Sequence, residues 1–226
     1  MGNATINKPF RVVCEGRADA AFFNGLFISR GILDFEAECA KTNGENKKCA
    51  GKSGITDTLL ALKTIVDLRP GVLKAIVIAV DSDSDPEEAF KTVKESIRAT
   101  KALLPVPREM LKPEGNDPAI AVVTIPWIDT PGHLDALLFE SMRISHSDLM
   151  KPIDDFCHAT EHRTVNWSDG SKAKMKLRCA IAACYKDDPG KSLAFVLESS
   201  ACQLDFGDST FDRIAKYFTD FNSRLS

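Results

Sequence analysis

One stretch of the chain, Ala75 to Val80, constrains the fold more than any other, because every residue in it is apolar. A short run of this kind predicts a buried β-strand of a parallel sheet. It leads directly into Asp81-Ser82-Asp83-Ser84-Asp85. An earlier predicted strand, Arg11 to Cys14, leads in the same way into Glu15-Gly16-Arg17-Ala18-Asp19. The chain therefore places an acidic cluster at the end of each of two strands.

The carboxyl ends of strands in an open α/β sheet form the crevice where ligands bind, so carboxylates from two strands can converge there. Convergent carboxylates repel one another unless a cation joins them. Mg²⁺ is a hard cation that prefers such oxygen ligands. We therefore expect a site for Mg²⁺, or Mn²⁺, with Glu15, Asp81 and Asp83 as ligands. Asp85 continues the alternation and is a further candidate ligand.

Composition argues against a disordered, fibrous or membrane-spanning chain. The 226 residues are 44% hydrophobic and 27% charged, which is ordinary for a globular protein. The net charge of -3 gives no global attraction to a polyanion, so nucleic acid would need a local basic patch or a metal bridge. No apolar run approaches the length of a membrane span, and we expect a cytoplasmic protein. The seven cysteines are scattered, which favours reduced thiols; Cys39 and Cys49 lack a nearby histidine for zinc.

Strand and helix patterns alternate over the first two thirds of the chain. This order predicts a four-stranded, mainly parallel Rossmann-like sheet with helices on both faces. After about residue 145 only helical patterns follow, so we expect an α/β domain over residues 1–145 and a helical extension over 146–226 packed on it. The predicted strands are 10–14, 35–40, 73–80 and 119–127, and the predicted helices are 18–28, 55–68, 86–103, 134–143, 148–159, 172–185, 192–199 and 210–221.

Both acidic clusters match the signatures of a known family. The sequence Val13-Cys14-Glu15-Gly16-Arg17-Ala18-Asp19 and the later Ile78-Ala79-Val80-Asp81-Ser82-Asp83 resemble the two motifs of the Toprim fold. This fold is shared by topoisomerases, primases, overcoming-lysogenization-defect nucleases and ribonuclease M5. The resemblance covers roughly residues 9 to 143 and is closest to small stand-alone Toprim-like proteins.

The Toprim resemblance implies a function and roles for residues. It implies metal-dependent cleavage or transfer of a nucleic-acid phosphodiester, with Glu15 as general acid or base and with Asp81 and Asp83 as metal ligands. It also implies a partner ATPase or DNA-binding subunit, since Toprim enzymes often work beside one. In topoisomerases the nucleophile is a tyrosine outside the Toprim fold; here Tyr185 and Tyr217 lie in helical patterns typical of packing residues, so we do not expect covalent strand passage.

Three further residues are candidates for the same site. Asp19 lies one turn into the helix after Glu15, where an acid usually stabilises the helix N-terminus. Asp135 follows the fourth strand, and the same helix-terminal role competes with a role in the site. His133 shares that loop, although a surface histidine is the default interpretation.

Local positive charge and backbone N–H groups indicate where a phosphate could bind. Arg17 and Gly16 adjoin Glu15, and Lys52 and Ser53 lie in a Gly-Lys-Ser turn before a helix. The turn lacks the first glycine of a P-loop, so we expect anion contact rather than a nucleotide site. A second basic run, from Lys172 to Arg178, is spread around a helix, so a solvated face is the default interpretation and a contact with nucleic acid is the alternative.

Two other classes of function stay open beside the enzyme. In a non-catalytic module, the acidic cluster would hold a metal only to organise a nucleic-acid or protein contact. In a receiver-like phosphoacceptor, acids also follow strands, but the acidic pair is expected after the first strand and a single Asp after the third. Here the larger cluster follows the third strand, so the receiver pattern fits less well.

Overall fold

The computed structural model describes residues 7–42, 49–101, 103–185, 188, 190–199 and 204–225. Its four strands form one parallel sheet with the spatial order β2-β1-β3-β4. The predicted α/β class with a parallel sheet is confirmed. The strands are β1 (Phe10–Cys14), β2 (Phe35–Cys39), β3 (Ala75–Asp81) and β4 (Ala119–Ile125).

Helices cover both faces of the sheet and continue beyond it. In the described part of the chain, no helix combines the length and the apolar composition needed to cross a bilayer. The helices are α1 (Arg17–Ser29), α2 (Ile55–Leu68), α3 (Pro86–Arg98), α4 (Leu134–Ser145), α5 (Ser147–Ala159), α6 (Glu161–Thr164), α7 (Asp169–Cys184), α8 (Leu193–Glu198) and α9 (Asp212–Thr219), with 3-10 turns at Gly51–Gly54, Ser209–Phe211 and Phe221–Arg224.

The two faces of the sheet carry side chains of different size. Toward α2 and α3 the strands present large β-branched residues, such as Ile76, Ile78 and Val122. Toward α1 and α4 they present mainly small ones, such as Ala79 and Ala121. The small face leaves room for the aromatic rings that pack on it, and interiors tolerate little mismatch of volume.

Those rings join the C-terminal helices to the sheet. Phe218 of α9 packs against Phe23 and Phe27 of α1 and against Phe35 of β2, with ring centroids 5.0 to 5.4 Å apart. Tyr217, which is 2% exposed, belongs to the same core. The helical extension therefore shares one hydrophobic core with the α/β part of the chain.

Several predicted boundaries are wrong for local reasons. Helix α3 ends at Arg98 rather than at residue 103, and Thr100 Oγ1 closes the end by donating to the Ile97 carbonyl at 2.6 Å. Strand β4 ends at Ile125 because Pro126 has no N–H to continue the ladder. Helix α7 begins at residue 169 rather than 172, since Ser168 accepts from the Ser171 N–H at 3.2 Å as an N-cap.

The expectation of reduced thiols is also wrong at one place. Cys39 and Cys49 form a disulfide with an S–S distance of 2.12 Å. The chain returns to the end of β2 through an antiparallel bridge between Lys41 and Cys49, and the Ala50 N–H donates to the Ala40 carbonyl at 2.9 Å. Two cysteines ten residues apart are thereby brought together, which spacing alone did not indicate.

We predict that Phe218→Ala destabilises the whole chain rather than the extension alone. Removing a buried phenylalanine costs about 3–5 kcal/mol of the free energy of unfolding, because a cavity replaces its contacts. Urea unfolding followed by circular dichroism should still show one transition, shifted to lower urea. Phe156→Ala is the matched control, since Phe156 is 49% exposed. A separate early transition in the Phe218 variant would show that the extension folds independently.

Candidate functional site

The two acidic clusters meet because β1 and β3 are neighbours in the sheet. Their register pairs Cys14, the last residue of β1, with Ala79, and β3 continues two residues further to Asp81, so Glu15 and Asp81 lie at the same edge of the sheet. The Asp81 N–H donates to Glu15 Oε1 at 3.1 Å. From β1 the chain crosses outward to β2, and from β3 it crosses the other way to β4. The cluster therefore lies at the switch point of the sheet, where ligands of open α/β folds bind.

Lys52 lies between two of the predicted metal ligands. Its Nζ is 2.5 Å from Asp83 Oδ2 and 3.7 Å from Glu15 Oε1. The two carboxylate oxygens are consequently no farther apart than the sum of these distances. The turn that carries Lys52 packs tightly on the chain leaving β2, since a Cβ on Gly54 would lie 3.0 Å from the Ala40 carbonyl carbon and 3.0 Å from the Lys41 nitrogen. The Lys52 ammonium group therefore lies between the carboxylates of Glu15 and Asp83.

Ser82, which the sequence analysis missed, anchors the segment between the two aspartates. Its side chain is fully buried, and Oγ lies 2.9 Å from the Ile125 carbonyl oxygen and 2.8 Å from that of Thr130. The Gly132 N–H donates to the Asp83 carbonyl at 2.7 Å. The loops after β3 and β4 are therefore joined. The period-two alternation Asp-Ser-Asp was the available signal, because it turns the serine to the opposite side.

His133 lies in the acidic cluster and is not the surface histidine that the default interpretation favoured. Its Nδ1 is 3.5 Å from Asp81 Oδ2 and 3.4 Å from Asp83 Oδ1. The other oxygen of Asp81 accepts from the Leu134 N–H at 2.9 Å, at the start of α4. The ring is placed there because the loop after β4 is bonded to the loop after β3, a tertiary contact with no local sequence pattern.

Burial raises the pKa values of the acids in this cluster. For Glu15 the pKa is raised from 4.5 to about 7, chiefly by desolvation and then by Asp81 and Asp19, while Lys52 and the Asp81 N–H oppose the shift. For Asp19, burial and the neighbouring Asp81 raise the pKa from 3.8 to about 6. Burial also raises the pKa values of Asp81 and Asp135. Glu15 can therefore gain or lose a proton near neutral pH.

Asp19 and Asp135 lie in the first turns of α1 and α4, where each faces the cluster. Asp19 Oδ2 accepts from the Gly16 N–H at 2.7 Å, which closes the start of α1. The helix-terminal role expected for Asp19 is therefore present. Because Asp81 and Asp135 both raise the pKa of Asp19, all three carboxylates lie within one electrostatic field.

Four candidates are bonded elsewhere. Asp85 caps α3 by accepting from the Glu87 N–H at 2.9 Å, so the structure uses it as a helix cap and not as a fourth acid of the cluster. Arg17 is exposed and pairs with Glu198 of α8 at 2.7 Å. Ser53 Oγ donates to the Ala50 carbonyl at 2.7 Å. The Gly16 N–H is taken by Asp19. Of the side chains predicted to bind phosphate, Lys52 alone contacts the acidic cluster in the described part of the chain.

The donor set suits a hard cation, but a ligand shell is not preformed. Within the described ranges, no group of three or more His, Cys, Asp or Glu side chains is arranged to hold a metal ion. The carboxylate oxygens of Glu15, Asp81 and Asp83 are the ligand type that Mg²⁺ prefers. Lys52 must leave its position between Glu15 and Asp83 before all three could share a cation.

The helical extension reaches the same cluster through α7. A Cβ on Gly170 would overlap Nε2 of the His133 ring, so only the missing side chain lets the helix approach the ring this closely. Burial raises the pKa values of Asp19 and Asp135, and the positive charge of Lys174 opposes this shift at both, as that of Arg178 does at Asp135. For the basic run the sequence predicted a solvated face by default, with a nucleic-acid contact as the alternative, and it did not indicate the position of the run beside the acids.

Comparison with known proteins gives a family and no activity. The sequence model described as "Protein of unknown function (DUF3226)" matches residues 9–223. The chain belongs to this family. No curated protein and no solved structure shows a significant match. The DUF3226 match includes both acidic clusters and α7, so one family model covers the acids and the basic helix beside them. The Toprim resemblance stays a prediction.

We predict that the DUF3226 chain loses stability as the pH rises from about 4.5 to about 7. In this range the unfolded chain has released the Glu15 proton while the folded chain retains it, because the pKa is raised only in the folded state. Glu15→Gln should remove the Glu15 part of this loss, while the part due to the raised pKa of Asp19 remains. The free energy of unfolding of the variant should gain about 2–3 kcal/mol on the wild type between about pH 4 and pH 8. Urea titrations over this range measure the difference.

The matched control for this titration is Glu109→Gln, the same chemical change at an exposed position. It should follow the wild-type profile. A Glu15→Gln profile parallel to the wild type would contradict a raised Glu15 pKa.

Proposed function

We propose that this chain is a divalent-metal-dependent enzyme that cleaves or transfers a phosphodiester of nucleic acid. Glu15 acts as general acid or base, and Asp81 and Asp83 bind Mg²⁺ or Mn²⁺. The observation that supports this most directly is the meeting of Glu15 and Asp81 across two parallel strands at the switch point of the sheet. The Toprim-like motifs that end these two strands support the same reaction.

Each residue of the site has its own role in the proposed reaction. Glu15 is held by the Asp81 N–H, and its raised pKa lets it exchange a proton near neutral pH. A bound divalent ion neutralises charge on phosphoryl oxygens and lowers the pKa of water. Lys52 has a flexible four-carbon stem, so its ammonium can turn from the carboxylates to a phosphate oxygen. Ser82 and His133 fix the loop that carries Asp83.

We predict that Asp81→Asn abolishes Mn²⁺-dependent cleavage while the chain stays folded. The amide oxygen of asparagine can still accept from the Leu134 N–H, so the start of α4 is preserved, but the negative charge for the metal is lost. Cleavage of labelled single-stranded and double-stranded DNA and RNA with Mn²⁺ measures the effect. A loss of at least about a hundredfold is expected, in line with the removal of a principal charge-stabilising group.

Asp85→Asn is the matched control for Asp81→Asn. Asparagine is as good an N-cap as aspartate, so α3 should keep its start and cleavage should be unchanged. Full cleavage by the Asp81 variant would show that the active site is elsewhere.

A non-catalytic module is the second candidate, and the position of Lys52 favours it. Its ammonium lies beside both Glu15 and Asp83, so these two carboxylates have a counter-ion within the chain and do not depend on a metal for one. In that case the chain binds nucleic acid for a partner ATPase or DNA-binding subunit. Binding without turnover in the cleavage assay distinguishes this module from the enzyme.

We predict that Lys52→Met raises the affinity for Mn²⁺. The ammonium competes with the cation for Glu15 and Asp83, and methionine keeps the length of the side chain without the charge. A gain of roughly tenfold, or about 1.4 kcal/mol, is expected from isothermal titration calorimetry above pH 7. Lys91→Met on α3 is the control and should bind Mn²⁺ as the wild type does. Unchanged or weaker binding by the Lys52 variant would show that Mn²⁺ does not replace Lys52.

A further inference from the structure

An open groove runs along α7 beside the acidic cluster. Its volume is about 460 Å³, and it is lined by Trp167, Ser171, Lys174, Met175 and Arg178. Trp167 is 46% exposed although tryptophan is usually well buried. The other tryptophan of the chain, Trp127, is 9% exposed. A volume of this size accepts a nucleotide-sized group.

The groove has two cations that are not used in salt bridges. Lys176, on a neighbouring face of α7, pairs with Asp154 at 3.0 Å. In the described part of the chain, neither Lys174 nor Arg178 has a salt-bridge partner, and both are exposed. Arg178 Nη1 donates to the Lys191 carbonyl at 2.8 Å, which leaves its other nitrogen atoms free to bind an anion.

The same helix connects the groove to the acidic cluster. Residues 170, 171, 174 and 178 follow helical spacing and share one side of α7. Gly170 packs against the His133 ring, and Lys174 acts electrostatically on Asp19 and Asp135. A chain lying in the groove would therefore lie beside the part of the acidic cluster that contains His133, Asp19 and Asp135.

We propose that this groove binds single-stranded nucleic acid, with a base stacked on Trp167 and phosphates held by Lys174 and Arg178. The identity of the polymer rests on the function proposed above. An exposed indole beside two cations matches a polymer in which π-faces and phosphates alternate. Only an unpaired base offers its face to the indole, so a duplex fits less well. An acidic peptide supplies the charge but no ring for Trp167.

The direct test is binding in EDTA, where no metal-dependent cleavage can occur. Full-length protein is titrated into labelled single strands of about twelve nucleotides, as DNA and as RNA, and followed by fluorescence anisotropy. We expect Trp167→Ala to weaken binding roughly tenfold to a hundredfold, and Trp167→Phe to retain most of it. Phe156→Ala should bind as the wild type does, because Phe156 is similarly exposed and does not line the groove.

The phosphate contacts are tested by the dependence of binding on salt. Lys174→Ala and Arg178→Ala should each lower the slope of log K against log salt by about one, whereas Lys91→Ala on α3 should leave it unchanged. In a Trp127→Phe protein, Trp167 is the remaining tryptophan, so quenching of its fluorescence reports stacking directly. Circular dichroism of each variant checks that it is folded.

The outcomes separate this proposal from the function proposed for the acidic site. Unchanged binding by Trp167→Ala, equal affinity for a duplex, or equal affinity for polyglutamate would each overturn the groove. If the wild type cleaves with Mn²⁺ and Trp167→Ala binds normally, the groove proposal is wrong and the active-site proposal is supported. If single strands bind and quench the fluorescence of Trp167 but no metal supports cleavage, the groove proposal is supported and the enzyme proposal is wrong.

Discussion

The parallel pairing of β1 with β3 is the interaction on which the rest of the structure depends. It aligns Cys14 with Ala79 and so brings Glu15 within hydrogen-bond distance of the Asp81 backbone. A slip of one residue would exchange the two faces of the strand. Ile78 would then lie where the aromatic core requires alanine. The difference in residue size between the faces therefore fixes the register, and the register fixes the site.

The acidic cluster works against stability, and backbone donors offset part of that cost. Buried carboxylates are costly when they are ionised, as the raised pKa of Glu15 shows. Glu15, Asp19 and Asp81 each accept one backbone N–H, and the Lys52 ammonium lies beside Glu15. A purely structural role would be filled better by apolar residues of similar volume. The arrangement is more typical of a functional site, where pKa values are perturbed together.

The features that could be predicted from the sequence are those that depend on a local pattern of residues. The apolar run of β3 and the acids that follow it predicted the sheet, its parallel class and the meeting of Glu15 with Asp81. The alternation failed at Asp85 because Asp83 adopts a φ of 49°, which ends the extended geometry before Asp85 caps α3. The Cys39 disulfide was missed because no local periodicity encodes the return of a loop to the end of a strand.

The position of α7 explains how a chain with a net charge of -3 could approach a polyanion. The attraction has to be local, since exposed charges farther apart than a Debye length of about 10 Å are largely screened. Gly170 of α7 packs against the His133 ring, and Lys174 and Arg178 oppose the burial that raises the pKa of Asp135, so cations of α7 lie near the acids. Because α7 is held by the same core as the sheet, this juxtaposition belongs to the fold itself. The helical extension is therefore part of the candidate site and not an appendage to it.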